Sequence, residues 1–157
     1  MKNQEKQVII KFDGDREAFK SLRKNFGSGN QEIIATALGW SDQNIVSRFE
    51  NGEFSLDPRT FTLFSLITNS HPNYKLSQRQ EFFGNLLIEP PSLGVDRQKA
   101  RKKAGLTGQK MADVLSLNSK TIISNYENNK QNPSLQCWTM FLLVTDQHPY
   151  YELQPKD

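Results

Sequence analysis

Residues 31–74 and 108–151 align without a gap at a constant offset of 77, and thirteen of the forty-four positions are identical. The identities include Ala35/Ala112, Leu38/Leu115, Ser47/Ser124, Glu50/Glu127, Asn51/Asn128, Phe64/Phe141 and the two His-Pro-x-Tyr ends. Val46/Ile123, Phe49/Tyr126, Phe61/Trp138 and Ile67/Val144 match in kind. Self-similarity of this sort marks a duplicated supersecondary unit, so whatever one copy folds into, the other is expected to fold into as well.

Each copy reads as four short helices. In the first, residues 17–25 place Phe19, Leu22 and Phe26 at i, i+3 and i+7, the spacing of one buried helix face. Asn30 can cap a second helix over 31–38, and the Gly39-Trp40-Ser41 turn leads to a third. That third helix is capped by Ser41 or Asp42 and closed by Asn51-Gly52. Asp57-Pro58 opens a fourth over 58–68. The second copy predicts helices over 96–104, 109–115, 119–128 and 134–145, with Asn118 or Ser119 capping the third. Residues 76–88 predict a connecting helix with Phe82, Phe83, Leu86 and Leu87 on its apolar side, which either packs between the copies or forms a homodimer seam. Glu89-Pro90-Pro91-Ser92 then makes a stiff break. Residues 2–12 form a short strand or an extended arm. The expected organisation is a first domain over 1–75, a connection over 76–92 and a second domain over 93–157.

Helices two and three of each copy are short and joined by a tight turn, the arrangement that leaves the outer face of the second helix standing proud. Ala35, Leu38, Val46 and Phe49 face inward. Asp42, Gln43, Asn44, Ser47 and Arg48 then face outward, as do Ser119, Lys120, Thr121, Ser124 and Asn125 in the second copy. Amides can bond adenine edges in pairs, arginine can bond guanine, and hydroxyls suit several edges, so this chemistry fits a DNA major groove.

Twenty basic against seventeen acidic residues give a net charge of +3. That balance permits a polyanion partner without requiring one. Six of the basic residues (Arg97, Lys99, Arg101, Lys102, Lys103 and Lys110) crowd into 95–110 against Asp96 alone. That cluster is either a solvated helix face or a source of phosphate contacts. Lys20, Arg23, Lys24, Arg48 and Arg59 are the fewer cations of the first copy, and Lys130 adds to the second.

The other function classes recede. Cys137 is the sole cysteine, which excludes an internal disulfide and a multi-cysteine metal site. The two histidines, His71 and His148, sit in equivalent His-Pro turns where capping or packing is their expected work. No glycine-rich phosphate loop, metal-ligand cluster or nucleophile–base pairing is present, so no enzyme, cofactor or metal is expected. No apolar run approaches a membrane span and no secretory signal is evident. The expectation is a soluble cytoplasmic protein.

The stretch from Gln31 to Gly52, with Val46-Ser47-Arg48-Phe49-Glu50-Asn51-Gly52 as its best signature, resembles the phage-repressor/Cro-type (XRE-like) helix-turn-helix family. In the second copy the resemblance runs from Ala104-Gly105-Leu106-Thr107 through Ala112 and Ile123-Ser124-Asn125-Tyr126-Glu127-Asn128 to Pro133-Ser134. It implies an all-α chain of two tandem lambda-repressor-like domains with helix three in the major groove of an operator. On that resemblance Gln43, Asn44, Ser47 and Arg48 read bases or the flanking backbone, Gln31 meets a phosphate, and Gln109 substitutes for Gln31 in the second copy. Arg101, Lys102, Lys103, Lys110 and Lys130, with Lys20, Arg23 and Lys24, supply the remaining phosphate contacts. A transcriptional repressor of phage, plasmid or mobile-element type, often autoregulatory, is what the family implies. The second copy carries Gly108, Ser116 and Asn129 where the family has glutamine and two glycines, and the His-Pro-x-Tyr ends are similar to some antitoxin-type members. The alternative is therefore an antitoxin-like or accessory regulator in which one copy binds a protein partner or a second chain.

Overall fold

Asp15, Asn30, Asp57, Thr107 and Ser134 each accept a backbone N–H at the start of a helix. These bonds satisfy donors that the first turn leaves free, and so fix where the helices begin. The computed structural model describes residues 7–79 and 85–157. Among them the chain order is α1 (Arg16–Lys24), α2 (Gln31–Ala37), α3 (Asn44–Glu50), α4 (Pro58–Ile67), β1 (Tyr74–Gln78), α5 (Gly94–Lys103), α6 (Gly108–Val114), α7 (Lys120–Glu127), α8 (Leu135–Val144) and β2 (Tyr151–Pro155). The series of four helices and a strand thus occurs twice.

The helices fall within a few residues of the sequence expectation, but α3 begins later than its capping signal suggests. Asp42 accepts from the Asn44 N–H at 2.9 Å, making a local turn before the helix starts. Ser119 stands at the N-cap of α7 without a side-chain cap bond.

The inward positions are the expected ones. Ala35, Leu38, Val46 and Phe49 are buried, as are Ala112, Leu115, Ile123 and Tyr126. Phe19 stacks on Phe64 with ring centroids 4.0 Å apart and meets Phe49 edge-on at 4.7 Å. Such aromatic contacts add specific geometry to area burial.

Two expectations are corrected. The chain is not all-α: β1 and β2 form an antiparallel two-stranded sheet in which Leu76 lies opposite Leu153. The connecting helix expected over 76–88 is not found at its described residues, where 76–78 belong to β1 and 85–88 carry no helix. Phe82 and Phe83 lie outside the described residues. Of the two alternatives for residues 2–12, residues 7–12 follow the extended arm; residues 2–6 lie outside the described residues.

That arm is pinned. The Ile10 N–H donates to Thr62 Oγ1 at 2.9 Å, and His71 Nε2 contacts the Val8 carbonyl at 2.7 Å. Residues 85–88 are held on α8 in the same way: the Ile88 N–H donates to Thr139 Oγ1 at 2.9 Å, and His148 Nε2 meets the Leu86 carbonyl at 2.6 Å. Each imidazole Nδ1 accepts two backbone N–H groups, from Asn73 and Tyr74 or from Tyr150 and Tyr151. Nδ1 is therefore unprotonated, and Nε2 carries the proton donated to the Val8 carbonyl by His71 and to the Leu86 carbonyl by His148. The expected packing role of both histidines is what the geometry gives them.

Candidate nucleic-acid interface

Helix α6, the turn after it and α7 form one bihelical unit, with α2, its turn and α3 as the counterpart. Both turns need a left-handed residue, and Gly39 (φ 75°) and Ser116 (φ 55°) supply it at equivalent positions. The close approach of α5 to the end of α7 depends on Gly94, where a Cβ would stand 2.2 Å from the Glu127 carbonyl oxygen.

A pair of arginine–glutamate struts fixes each protruding helix to the helix that opens its unit. Arg23 reaches both Glu50 oxygens, at 2.8 and 2.9 Å, and the Gly29 carbonyl at 2.8 Å. Arg101 reaches both Glu127 oxygens, at 2.6 and 2.9 Å, and the Leu106 carbonyl at 2.8 Å. The hydrogen bond with Glu127 raises the Arg101 pKa above its ordinary value. Fork-to-fork pairs of this kind set orientation as well as energy.

These struts engage residues that the sequence expectation gives to phosphates. Arg23 is buried and Arg101 has its donors committed, so neither offers a free guanidinium to a phosphate. Arg97, counted in the basic cluster, is only 3% exposed and donates to the carbonyls of Pro91, Tyr126 and Gln131 and to Asn132. Arg59 is also committed, to Asp57 and to the Leu115 and Ser116 carbonyls. Gln31 bridges instead of standing free, accepting from Ser47 Oγ at 2.9 Å and donating to Glu50 at 3.3 Å. Gln109 donates to Asp113 at 2.9 Å on the exposed face of α6.

Apart from Arg48, the exposed cations among these candidates are lysines. Lys24, Lys102, Lys103, Lys110, Lys120 and Lys130 all face solvent, and Lys20 is half-buried.

On α7, Lys120, Thr121 and Ser124 are exposed and line a cleft of about 550 Å³ together with Thr107, which caps α6, and Gly108 and Gln109 of that helix. Arg101 and Glu127 also border this cleft, whereas Lys102, Lys103 and Lys130 do not. Ser119 is exposed just before the helix. Asn125 is half-buried, donating to Gln131 at 3.5 Å.

The counterpart surface on α3 has different chemistry. Gln43, Asn44 and Arg48 are exposed, while Ser47 is half-buried against Gln31. Asp42 holds the Asn44 side chain at 3.4 Å, and Arg48 pairs with Glu53 at 3.1 Å, both partners remaining more than half exposed. Over 30–53 one cation, Arg48, stands against Glu32, Asp42, Glu50 and Glu53; over 107–130, Lys110, Lys120 and Lys130 stand against Asp113 and Glu127. The two faces therefore differ in sign.

Beneath α7, burial raises the Tyr126 phenol above its usual range and pushes the Cys137 thiol up to about 11. A thiol held in that state is a poor nucleophile. Among the described residues no group of His, Cys, Asp and Glu could hold a metal ion, and no helix is long and apolar enough to cross a membrane.

Residues 98–136 match the family model described as helix-turn-helix. This segment forms a helix-turn-helix. The match begins inside α5, includes all of α6 and α7, and ends at the start of α8. No curated protein and no solved structure matches the chain.

The residues that sequence reasoning missed are the carbonyl-binding ones: Arg16, Arg79, Gln136 and Lys156. Arg59 and Gln136 stand 77 apart, so the repeat itself was a signal that they share a task.

Proposed function

We propose that this protein is a sequence-specific double-stranded DNA-binding transcriptional regulator. Its chain is read as two tandem helix-turn-helix units, of which the second is the principal DNA contact. The observation that carries this reading is the exposed edge of α7, where Lys120, Thr121 and Ser124 flank a cleft beside the N-terminus of α6 within the segment that matches a helix-turn-helix family. Cation, hydroxyls and helix edge together suit a groove wall, with phosphates met by the lysines and base edges by the hydroxyls. The regulator is a repressor in this reading, acting by occupying the operator, and of the phage, plasmid or mobile-element type.

Selection of bound fragments from a random duplex pool tests this, followed by titration of the recovered site. Specific binding that Lys120→Ala/Ser124→Ala weakens at least tenfold supports the reading. Equal affinity for recovered and scrambled duplexes overturns it.

A second reading has one observation in its favour: the carboxylates Glu32, Asp42 and Glu53 around α3. In that reading the first unit serves a protein partner or a second chain, and DNA contact belongs to the second unit alone.

A further inference from the structure

The sheet register has a particular consequence for how the two protruding helices relate. Leu76 and Leu153, 77 residues apart and so equivalent in the repeat, lie directly opposite each other. Away from that centre three pairs of contacts are reciprocal. The Arg79 N–H donates to the Tyr150 carbonyl at 2.9 Å, and the Lys156 N–H donates to the Asn73 carbonyl at 2.8 Å. Arg79 reaches the Asp146 carbonyl at 3.1 Å, and Lys156 Nζ reaches the Asn69 carbonyl at 3.2 Å. Arg59 donates to the Leu115 carbonyl at 3.0 Å, and Gln136 donates to the Leu38 carbonyl at 2.7 Å. Helix α4 packs on α8, its own counterpart.

When i meets j and the counterpart of j meets the counterpart of i, the relation is a two-fold rotation. A translation or a screw along the chain would give the first contact without the second. Two units adjacent in sequence could have been laid down as a direct repeat in space; these are not. Duplex DNA has local two-fold axes of its own, and a two-fold reader matches inverted half-sites, not tandem ones.

We propose that one chain reads a single operator built of two inverted, non-identical half-sites, with the axis through Leu76 and Leu153 lying over the DNA dyad. The inference rests on the DNA-binding reading above. Helix α7 takes one half-site through Lys120, Thr121 and Ser124, and α3 takes the other through Gln43, Asn44 and Arg48. Because those sets differ, the operator is a broken palindrome with a fixed orientation. The carboxylates beside α3 make its half-site the weaker one. The chain is thus the equivalent of a homodimer without a second copy.

The test uses the full chain. A random duplex pool is selected against it, and the recovered site is footprinted with hydroxyl radicals. The number of chains per duplex is then measured by sedimentation. The expected result is one chain per duplex protecting two inverted half-sites about 10 base pairs apart, centre to centre. Reversing one half-site should lower affinity about tenfold or more. Asn44→Ala/Arg48→Ala should erase sequence preference in one half-site alone, and Lys120→Ala/Ser124→Ala in the other. Directly repeated half-sites, a single half-site per chain, or two chains sharing one palindrome would overturn the inference while leaving DNA binding intact. Recovery of no preferred sequence would overturn the DNA-binding reading itself, and this inference with it.

Discussion

Arg97 donates to the Tyr126 carbonyl at 2.9 Å, and Arg16 donates to the equivalent Phe49 carbonyl at 3.0 Å, from positions that do not correspond in the repeat. Arg97 lies four residues, one helical turn, beyond the counterpart of Arg16. The second carbonyl each one meets is also equivalent: Phe54 for Arg16 and Gln131 for Arg97. A guanidinium at the end of the protruding helix has been kept while its point of attachment moved. Arg97→Ala would leave several carbonyls short of a donor in a buried place, at a cost of about 3 kcal/mol. Arg97→Lys should recover little, since an ammonium cannot span the same acceptors. Urea unfolding of the two variants checks this; a loss under about 1 kcal/mol for Arg97→Ala would contradict the strut role.

The histidines predict a pH dependence with a definite sign. Burial lowers the pKa of both His71 and His148 below the ordinary value of 6.5, against the raising effect of their backbone carbonyl partners. Below pH 6.5 the unfolded chain takes up protons that the folded chain refuses. Stability is therefore fully present above that pH and falls as the solution is acidified toward the folded-state values. The slope is about 1.4 kcal/mol per pH unit for each histidine that titrates. Urea midpoints measured between pH 7.5 and 5 should show the decline. His71→Asn and His148→Asn should each be less stable at pH 7.5 and each remove part of the slope; an unchanged slope would show that the arm contacts do not depend on the neutral ring.

Much of this fold is legible because its signals are local. Asp57-Pro58 and Asn30 mark helix starts through bonds made within three residues, and the apolar spacing of Val46 and Phe49 needs no knowledge of distant chain. Strand β1 is illegible for the opposite reason. Tyr74-Lys75-Leu76-Ser77-Gln78 becomes a strand only through a partner far along the chain, and residues 76–78 are absorbed into a helix expected from the apolar spacing of Phe82, Phe83, Leu86 and Leu87. The basic residues failed differently. Arg23, Arg97 and Arg101 look like a solvated or phosphate-facing set, but which arginine turns inward depends on where carbonyls and carboxylates end up in space. On the candidate interface, the exposure of Gln43, Asn44, Arg48, Lys120, Thr121 and Ser124 follows from helical spacing, whereas the bridging of Gln31 to Ser47 and Glu50 does not.

Ser116 offers a stabilising substitution. Its φ of 55° is a left-handed conformation that costs a residue with a Cβ about 1 kcal/mol. The side chain is half-buried, and neighbours contact its backbone: Arg59 donates to the Ser116 carbonyl at 2.8 Å. Ser116→Gly should therefore gain up to about 0.5 kcal/mol, the relief of strain slightly outweighing the added freedom of the unfolded chain. The mirror substitution, Gly39→Ser, should lose more than that. Besides a φ of 75°, a Cβ at Gly39 would meet side-chain carbons of Leu135 and Leu87 at 3.0 Å. Thermal melts of the two variants should move in opposite directions; parallel shifts would mean the two turns are not equivalent.

The division between committed arginines such as Arg101 and exposed lysines predicts two separable kinds of defect in DNA binding. Lys110, Lys120 and Lys130 are exposed, so their loss should leave the fold alone and reduce counterion release. Each Lys→Ala change at a phosphate contact should flatten the dependence of log affinity on log salt by about 1, and the loss should be of similar size on any duplex. Ser124→Ala, which removes a hydroxyl from α7, should reduce preference for the selected site without altering that slope. Arg101→Ala should behave like neither. Removing it leaves the largely buried Glu127 with only the Gln98 amide beside it, which costs about 3 kcal/mol of stability and lowers the fraction of chain able to bind at all. Affinity measured across a salt series, alongside urea unfolding of the same proteins, separates the cases. A stable Arg101→Ala protein with a flattened salt slope would place that guanidinium on the DNA after all, and the strut would have to be given up.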